Sequence, residues 1–265
     1  WKGEIRGLAY SPSGLYSESS KDNDVTDEMI RRDLAQLSKM TKRIRTYTVD
    51  YNGDRIPYIA KEFGMKVSLG IWLRGDKTYN EAEIARAIKT IADNSGTIDR
   101  VFVGNETVGV RAELTGREVS GYIKRVKAAI DNPAVQVGTA EVWPTWLTET
   151  ELADGADFVA IHLLPYWEGV SYDKSMEYIT SSFDQIARLY PDKKIVIGET
   201  GWPSDGRVKK GSEPSPAFEA AFLRQFFELL HQQAHVVLRV RDGHQPLLVE
   251  PGRSEDAAVD SPKPA

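Results

Sequence analysis

Residues 80–106 read NEAEIARAIKTIADNSGTIDRVFVGNE, one helical pattern followed at once by one strand pattern. Ile84, Ile88 and Ile91 recur at spacings of four and three, which puts them on one face of a helix. Asn80 stands where a cap is needed, and Glu83 occupies the capping-box position three residues on. The run Val101–Gly104 is apolar at consecutive positions, as expected of a strand covered on both faces, and it ends on Asn105 and Glu106. A helix feeding directly into a doubly covered strand is half of a parallel β-α-β unit.

The same alternation extends in both directions. Strands are predicted at Ile5–Ala9, Arg43–Val49, Lys66–Leu73, Val135–Ala140, Phe158–Leu163 and Lys194–Gly198. Thr115 and Glu118 form a second capping box ahead of Val119, Ile123, Val126 and Ile130. Gly64 is expected to end the second helix, and Ser215-Pro216 to open one with Phe218, Phe222, Phe226 and Leu229 on its inner face. Seven β-α units are legible, and closure needs an eighth strand, expected at Val236–Val240. The expected architecture is an α/β fold, a (β/α)8 barrel forming one catalytic domain over residues 1–242, with 243–265 a disordered tail. The competing doubly wound sheet is disfavoured because no glycine-rich phosphate loop follows any strand.

At 265 residues and 41% hydrophobic content the chain supports one large core. Net charge is −5 with acids and bases interspersed, so nucleic acid is not an expected partner. The absence of cysteine excludes disulfides, thiolate metal sites and cysteine nucleophiles. No apolar run reaches the roughly 18–20 residues of a membrane span, and Trp1-Lys2-Gly3-Glu4 does not resemble a signal peptide. His162, His231, His235 and His244 show no metal-ligand spacing, so neither metal nor cofactor is expected, and the chain is expected to be a monomer without membrane insertion.

Barrel active sites lie at the C-terminal ends of the strands. Glu106 follows the fourth strand, and Glu199 follows the seventh in Ile195-Val196-Ile197-Gly198-Glu199-Thr200-Gly201-Trp202-Pro203. One such glutamate more often caps a helix or pairs with an arginine. Two at one rim match the acid and the nucleophile or base of glycosidic cleavage. Trp72, Trp143, Trp146, Trp167 and Trp202 also follow strand ends, and Tyr10, Tyr47 and Tyr166 fall at the same level. Any single aromatic more often fills the core, but their shared position favours a cleft in which sugar faces stack. Glu141 and Glu168 lie near strand ends as candidate substrate contacts or as solvated loop acids.

Val103-Gly104-Asn105-Glu106 and Gly198-Glu199-Thr200-Gly201-Trp202-Pro203-Ser204 together resemble the family 17 glycoside hydrolases, β-1,3-glucanases and glucanosyltransferases of the four/seven barrel clan. Gly7-Leu8-Ala9-Tyr10-Ser11-Pro12 looks like that family's first strand, Arg43-Ile44-Arg45-Thr46-Tyr47 its second and Leu164-Pro165-Tyr166-Trp167 its sixth. The compact loops are more similar to bacterial members, and His162 stands where plant members have Asn. The resemblance implies a retaining double displacement on β-1,3-glucan, with Glu106 as general acid/base, Glu199 as nucleophile, Arg45 beside it and Asn105 on the sugar 2-hydroxyl. Water as acceptor gives hydrolysis; a sugar gives transglycosylation. It also implies a periplasmic or extracellular setting. The alternatives are a weakly active or inactive glucan-binding barrel, or a β-1,4-glucanase or mannanase of the same clan.

The departure from the family pattern is His235-Val236-Val237-Leu238-Arg239-Val240-Arg241-Asp242, which lacks the aromatic-Glu pair of the family's eighth strand. With CTN and CGN codons, reading these residues one base later permits Val-Phe-Glu. Residues 235–265 are therefore either a divergent native segment or a frameshifted one.

Overall fold

A computed structural model describes residues 5–12 and 25–237, the last seven as backbone only. Its strands are β1 (Leu8–Ala9), β2 (Arg43–Arg45), β3 (Lys66–Ile71), β4 (Ile98–Asn105), β5 (Gln136–Val142), β6 (Phe158–Leu163) and β7 (Lys194–Thr200). They alternate with α1 (Asp27–Leu37), α2 (Ile56–Glu62), α3 (Lys77–Asp93), α4 (Gly116–Ala129), α5 (Thr145–Thr148), α6 (Pro165–Glu168), α7 (Ser175–Leu189) and α8 (Pro216–Val237). The strands form one sheet in the order β1-β2-β3-β4-β5-β6-β7, every pair parallel. The helices return the chain between parallel neighbours, and the sheet curls into a partial (β/α)8 barrel.

The predicted stripes are the buried ones: Ile84 and Ile91 on α3, Val119, Ile123 and Val126 on α4, and Phe222 and Phe226 on α8. Each fully buried aliphatic or aromatic side chain contributes about 1.5–3 kcal/mol. Every residue of β6 is buried, whereas every residue of β7 is partly exposed, because β7 has a sheet neighbour on one side only among the described residues. The Thr115–Glu118 capping box is present at the start of α4, and Gly64 follows α2 in the left-handed conformation at φ 64°.

Three expectations are corrected. Asn80 does not cap α3; Asp76 does, accepting from the N–H groups of Thr78 and Tyr79 at 2.9 and 3.2 Å, one turn earlier. Asn80 and Glu83 thus sit inside the helix and turn their polar groups toward the strand ends. The second strand is shorter than Arg43–Val49 and ends at Arg45; beyond it Thr48 and Val49 give their hydroxyl and N–H to the Glu83 carboxylate instead of to a neighbouring strand. Of the expected eighth strand Val236–Val240, Val236 and Val237 are helical, closing α8. Residues 238–240 and the expected tail 243–265 lie outside the described residues.

Candidate active site

The strand ends are shaped to aim side chains into the mouth of the barrel. The β4–β5 register shifts between Phe102 and Asn105, and the β6–β7 register shifts between Ile161 and His162. Such irregularities re-aim the residues that follow. Gly104 sits at φ 88°, where a Cβ would come within 2.9 Å of Thr107 Oγ1. Glu106 itself adopts φ 51°, the left-handed region that costs a non-glycine residue roughly 1–3 kcal/mol. Its N–H donates to the Ala140 carbonyl at 2.8 Å, and its carbonyl accepts from Arg111 N–H at 3.0 Å. Two neighbouring segments therefore hold the strained backbone in place.

Arg45 is the hub. Its Nη1 donates to the Gly198 carbonyl at 2.9 Å and to Glu199 Oε1 at 3.1 Å and lies 3.1 Å from His162 Nε2, and its Nη2 donates to Asn105 Oδ1. Tyr47 donates its hydroxyl to Glu199 Oε1 at 2.8 Å. His162 links the two glutamates, with Nδ1 2.8 Å from Glu106 Oε1 and Nε2 3.6 Å from Glu199 Oε1. The strand ends of β2, β4, β6 and β7 thus converge on one cluster.

Electrostatics follows from these contacts. The hydrogen bond with His162 draws the Glu106 carboxyl below its ordinary range, against the opposing effect of burial. Burial lowers the Arg45 guanidinium while Glu199 holds it up, and burial raises the Tyr47 phenol. Glu141 is fully buried and is pushed up to about 7, chiefly by desolvation.

The remaining predicted site residues divide by exposure. Trp72 is half-buried, with the Arg111 guanidinium 4.1 Å above its ring, and half-buried Trp143 donates from its indole to Tyr178 at 2.6 Å. Tyr10 is buried and donates to Asp33 at 3.1 Å; it lines a small pocket with Ser11, Pro12, Tyr47 and Tyr51. Tyr166 and Trp202 are buried against each other, Trp202 donating to the Glu213 carbonyl at 2.9 Å. Trp146 is core, donating to the Ala160 carbonyl, while Trp167 and Glu168 are exposed. Both oxygens of Glu141 accept backbone N–H groups, from Val108 at 2.9 Å and Gly109 at 3.1 Å, so it braces the loop after Glu106.

Sequence reasoning missed two organising residues. His162 is the one ionisable side chain in the apolar run of β6, the same strand-end signal that marked the glutamates. Glu83, read as a cap, instead accepts from Thr48 Oγ1 at 2.7 Å, Val49 N–H at 3.0 Å and Trp72 N–H at 3.1 Å, fastening the loops that carry Tyr47 and Trp72. Nothing in its spacing distinguished that role.

The model of the BtgE/BtgC glycoside hydrolase domain matches residues 7–242. A glucan 1,3-beta-glucosidase of Arthroderma benhamiae is 26% identical over 227 residues, covering 77% of this chain and 72% of that protein. The glucan endo-1,3-beta-glucosidase btgC of Emericella nidulans is 25% identical over 214 residues, 76% of this chain but 33% of its own length. The chain thus spans only about a third of the btgC protein. Among solved structures, a glycoside hydrolase family 17 beta-1,3-glucanosyltransferase from Rhizomucor miehei superposes with TM-score 0.71 at 26% identity, covering 81% of this chain and 78% of the other. An active-site mutant of that protein is described in complex with laminaritriose. A beta-glucuronidase of Bacteroides uniformis, at 19% identity and TM-score 0.64, shares the fold.

Proposed function

The chain belongs to the BtgE/BtgC glycoside hydrolase domain family, and from that premise we propose that it cleaves β-1,3-glucan by retaining double displacement, as a hydrolase or glucanosyltransferase. The observation that carries this reading is the joining of Glu106 and Glu199 into one cluster through His162 and Arg45. Arg45 and Tyr47 both donate to Glu199 Oε1, which orients that carboxylate as a nucleophile. Glu106, on the opposite side of the imidazole, serves as the acid. Glu199 attacks the anomeric carbon, the bond to the leaving oxygen breaks, and that oxygen takes the Glu106 proton. Glu106 then accepts the proton of the incoming hydroxyl that displaces Glu199. Because Arg45 fixes Asn105 by its Oδ1, the Asn105 amide N–H2 is left to donate to the substrate 2-hydroxyl. The resemblance to family 17 enzymes further supports a periplasmic or extracellular setting, testable by fractionating cells that express the full-length protein.

The deciding experiment offers the protein β-1,3-glucan, cellulose and mannan separately and resolves the products by size. Turnover of the first alone, with the initial product in the β-configuration by proton NMR, is expected. Products longer than the substrate would identify transfer. Glu106→Gln and Glu199→Gln should each lose turnover with the fold intact, and azide should rescue Glu106→Ala on an activated glycoside. An α-configured initial product, or full activity in either glutamine variant, would refute the assignment.

A further inference from the structure

We propose that His162 is a positioning residue of the reaction: as the neutral, Nδ1-protonated imidazole it holds the Glu106 carboxylate in place and sets the alkaline limit of activity. This rests on Glu106 being the acid/base, and it deepens that reading.

The tautomer follows from its neighbours. His162 is 1% exposed at the end of β6, and its two ring nitrogens have different partners. Arg45 Nη1, 3.1 Å from Nε2, belongs to a guanidinium, which can only donate. Facing that donor, Nε2 meets it as an acceptor, sharing the two Nη1 N–H groups with the Gly198 carbonyl and Glu199 Oε1, and a neutral imidazole that accepts at Nε2 carries its proton on Nδ1. At 3.6 Å, Nε2 lies beyond hydrogen-bond reach of Glu199, so no competing role claims it. The Nδ1 proton then points at Glu106 Oε1, 2.8 Å away.

The ring is also held by shape. A Cβ on Gly198 would lie 2.9 Å from His162 Cδ2 and 3.0 Å from Nε2. The residue before the nucleophile is thus a glycine because the imidazole crosses it. Glu106, in turn, sits on a left-handed backbone whose direction is already fixed, and the His162 N–H selects where its carboxylate ends.

This contact has a consequence for pH. Glu106 faces His162 from β6, Arg45 from β2 and Arg111 from the loop after β4, all of which favour its anion, His162 most. Glu141 of β5 faces it too, and like charge there disfavours the anion. Removing the Nδ1 donor takes away the largest support for the ionised form, so the protonated acid should persist to higher pH.

Two substitutions separate the ring's two ends. Asn places an amide donor near the Nδ1 position and leaves Nε2 empty, whereas Gln reaches the Nε2 position and abandons Nδ1. In His162→Gln the basic limb of the kcat/KM profile should move up by about one pH unit or more, with kcat falling and KM little changed. In His162→Asn that limb should stay near the wild-type position. An unmoved limb in His162→Gln, or equal movement in both variants, would overturn the proposal. Nitrogen-15 NMR of the wild-type protein, with the His162 signals identified by their loss in His162→Gln, should show the ring proton on Nδ1 and an accepting Nε2. An Nε2–H tautomer or an imidazolium would overturn it regardless of activity. Absence of any glucan turnover by the wild type would instead count against the functional reading, with the NMR result still deciding the tautomer.

Discussion

Replacing Glu141 by Gln removes a titration that should make the protein's stability depend on pH. The carboxyl is fully buried, and its oxygens accept the Val108 and Gly109 N–H groups, which favour the anion. Desolvation outweighs them and, with the Glu106 charge adding to it, raises the group from 4.5 to about 7. The folded state therefore keeps this proton to higher pH than the unfolded chain does. The associated stability is fully present below about pH 4.5, is lost as pH rises through about 7 and then stays level. A difference of about 2.5 pH units at about 1.4 kcal/mol each amounts to ~3 kcal/mol. For a chain of this size that corresponds to roughly 6–12 °C in Tm. The assay is calorimetry of wild type and Glu141→Gln from pH 4 to pH 8, in which the other titrations largely cancel in the difference. Wild type should lose stability relative to the variant across that interval. In a Glu106→Gln background the loss should be smaller, because a like charge has been removed. A wild-type minus variant difference that is constant with pH would refute the reasoning, and would mean that the two N–H groups offset desolvation and leave Glu141 titrating alike in the folded and unfolded states.

Tyr47→Phe deletes a 2.8 Å hydrogen bond to the Glu199 carboxylate, the proposed nucleophile; such bonds to charged groups contribute about 1.5–3 kcal/mol, so kcat/KM on β-1,3-glucan should fall about 10- to 100-fold. Unchanged kinetics would show that Arg45 alone positions Glu199. Gly198→Ala forces the imidazole off its seat, and overpacking of this kind costs about 1–3 kcal/mol, so lowered melting temperature and at least roughly tenfold lower turnover are expected, read by calorimetry and initial rates. Wild-type values in both would contradict the close approach at Gly198. Sequencing the DNA that encodes residues 235–265 decides between a native and a shifted segment: a frameshift requires an aromatic-Glu strand one base along, and its absence removes that explanation.

The fold was legible where one periodicity dominated. β6 runs over the same residues as the apolar run that predicted it, and the α4 cap follows from Thr115 and Glu118 alone. The start of α3 was misread because Asp76 and Asn80 are both competent caps; the winner depends on the Arg74 loop, whose backbone N–H and carbonyl Asn80 holds at 2.8 and 2.7 Å. The two glutamates were legible as strand-end acids because each directly follows an apolar run, and the structure brings both beside His162. The aromatics were less so: Trp72, Trp146, Trp167 and Trp202 share a position along the sequence, yet Trp146 and Trp202 are buried, Trp72 is half-buried and Trp167 is exposed. Level along the barrel can be read from a sequence, but which side of a loop an indole faces depends on packing between distant elements.

The charge balance of the cluster leads to one further expectation. Arg45, Glu106 and Glu199 together carry one excess negative charge when both carboxylates are ionised, and the neighbouring Arg111 is matched by Glu113. The state with one proton on Glu106 is neutral as a whole, and it is also the state that can donate to a leaving group. A glucan chain brings no charge, but it displaces water from Glu106 and Glu199, which are about one-fifth to one-quarter exposed. Loss of that water raises the cost of the uncompensated charge, so binding should raise the Glu106 affinity for a proton. Binding of a sulfur-linked, uncleavable β-1,3-oligoglucoside near neutral pH should therefore take up a proton. Calorimetric titration in buffers of different ionisation enthalpy reads that uptake directly: the apparent enthalpy should change with the buffer in wild type and much less in Glu106→Gln. A buffer-independent enthalpy in the wild-type protein would show that Glu106 does not gain its proton on binding, and the acid form would then have to be present before the substrate arrives.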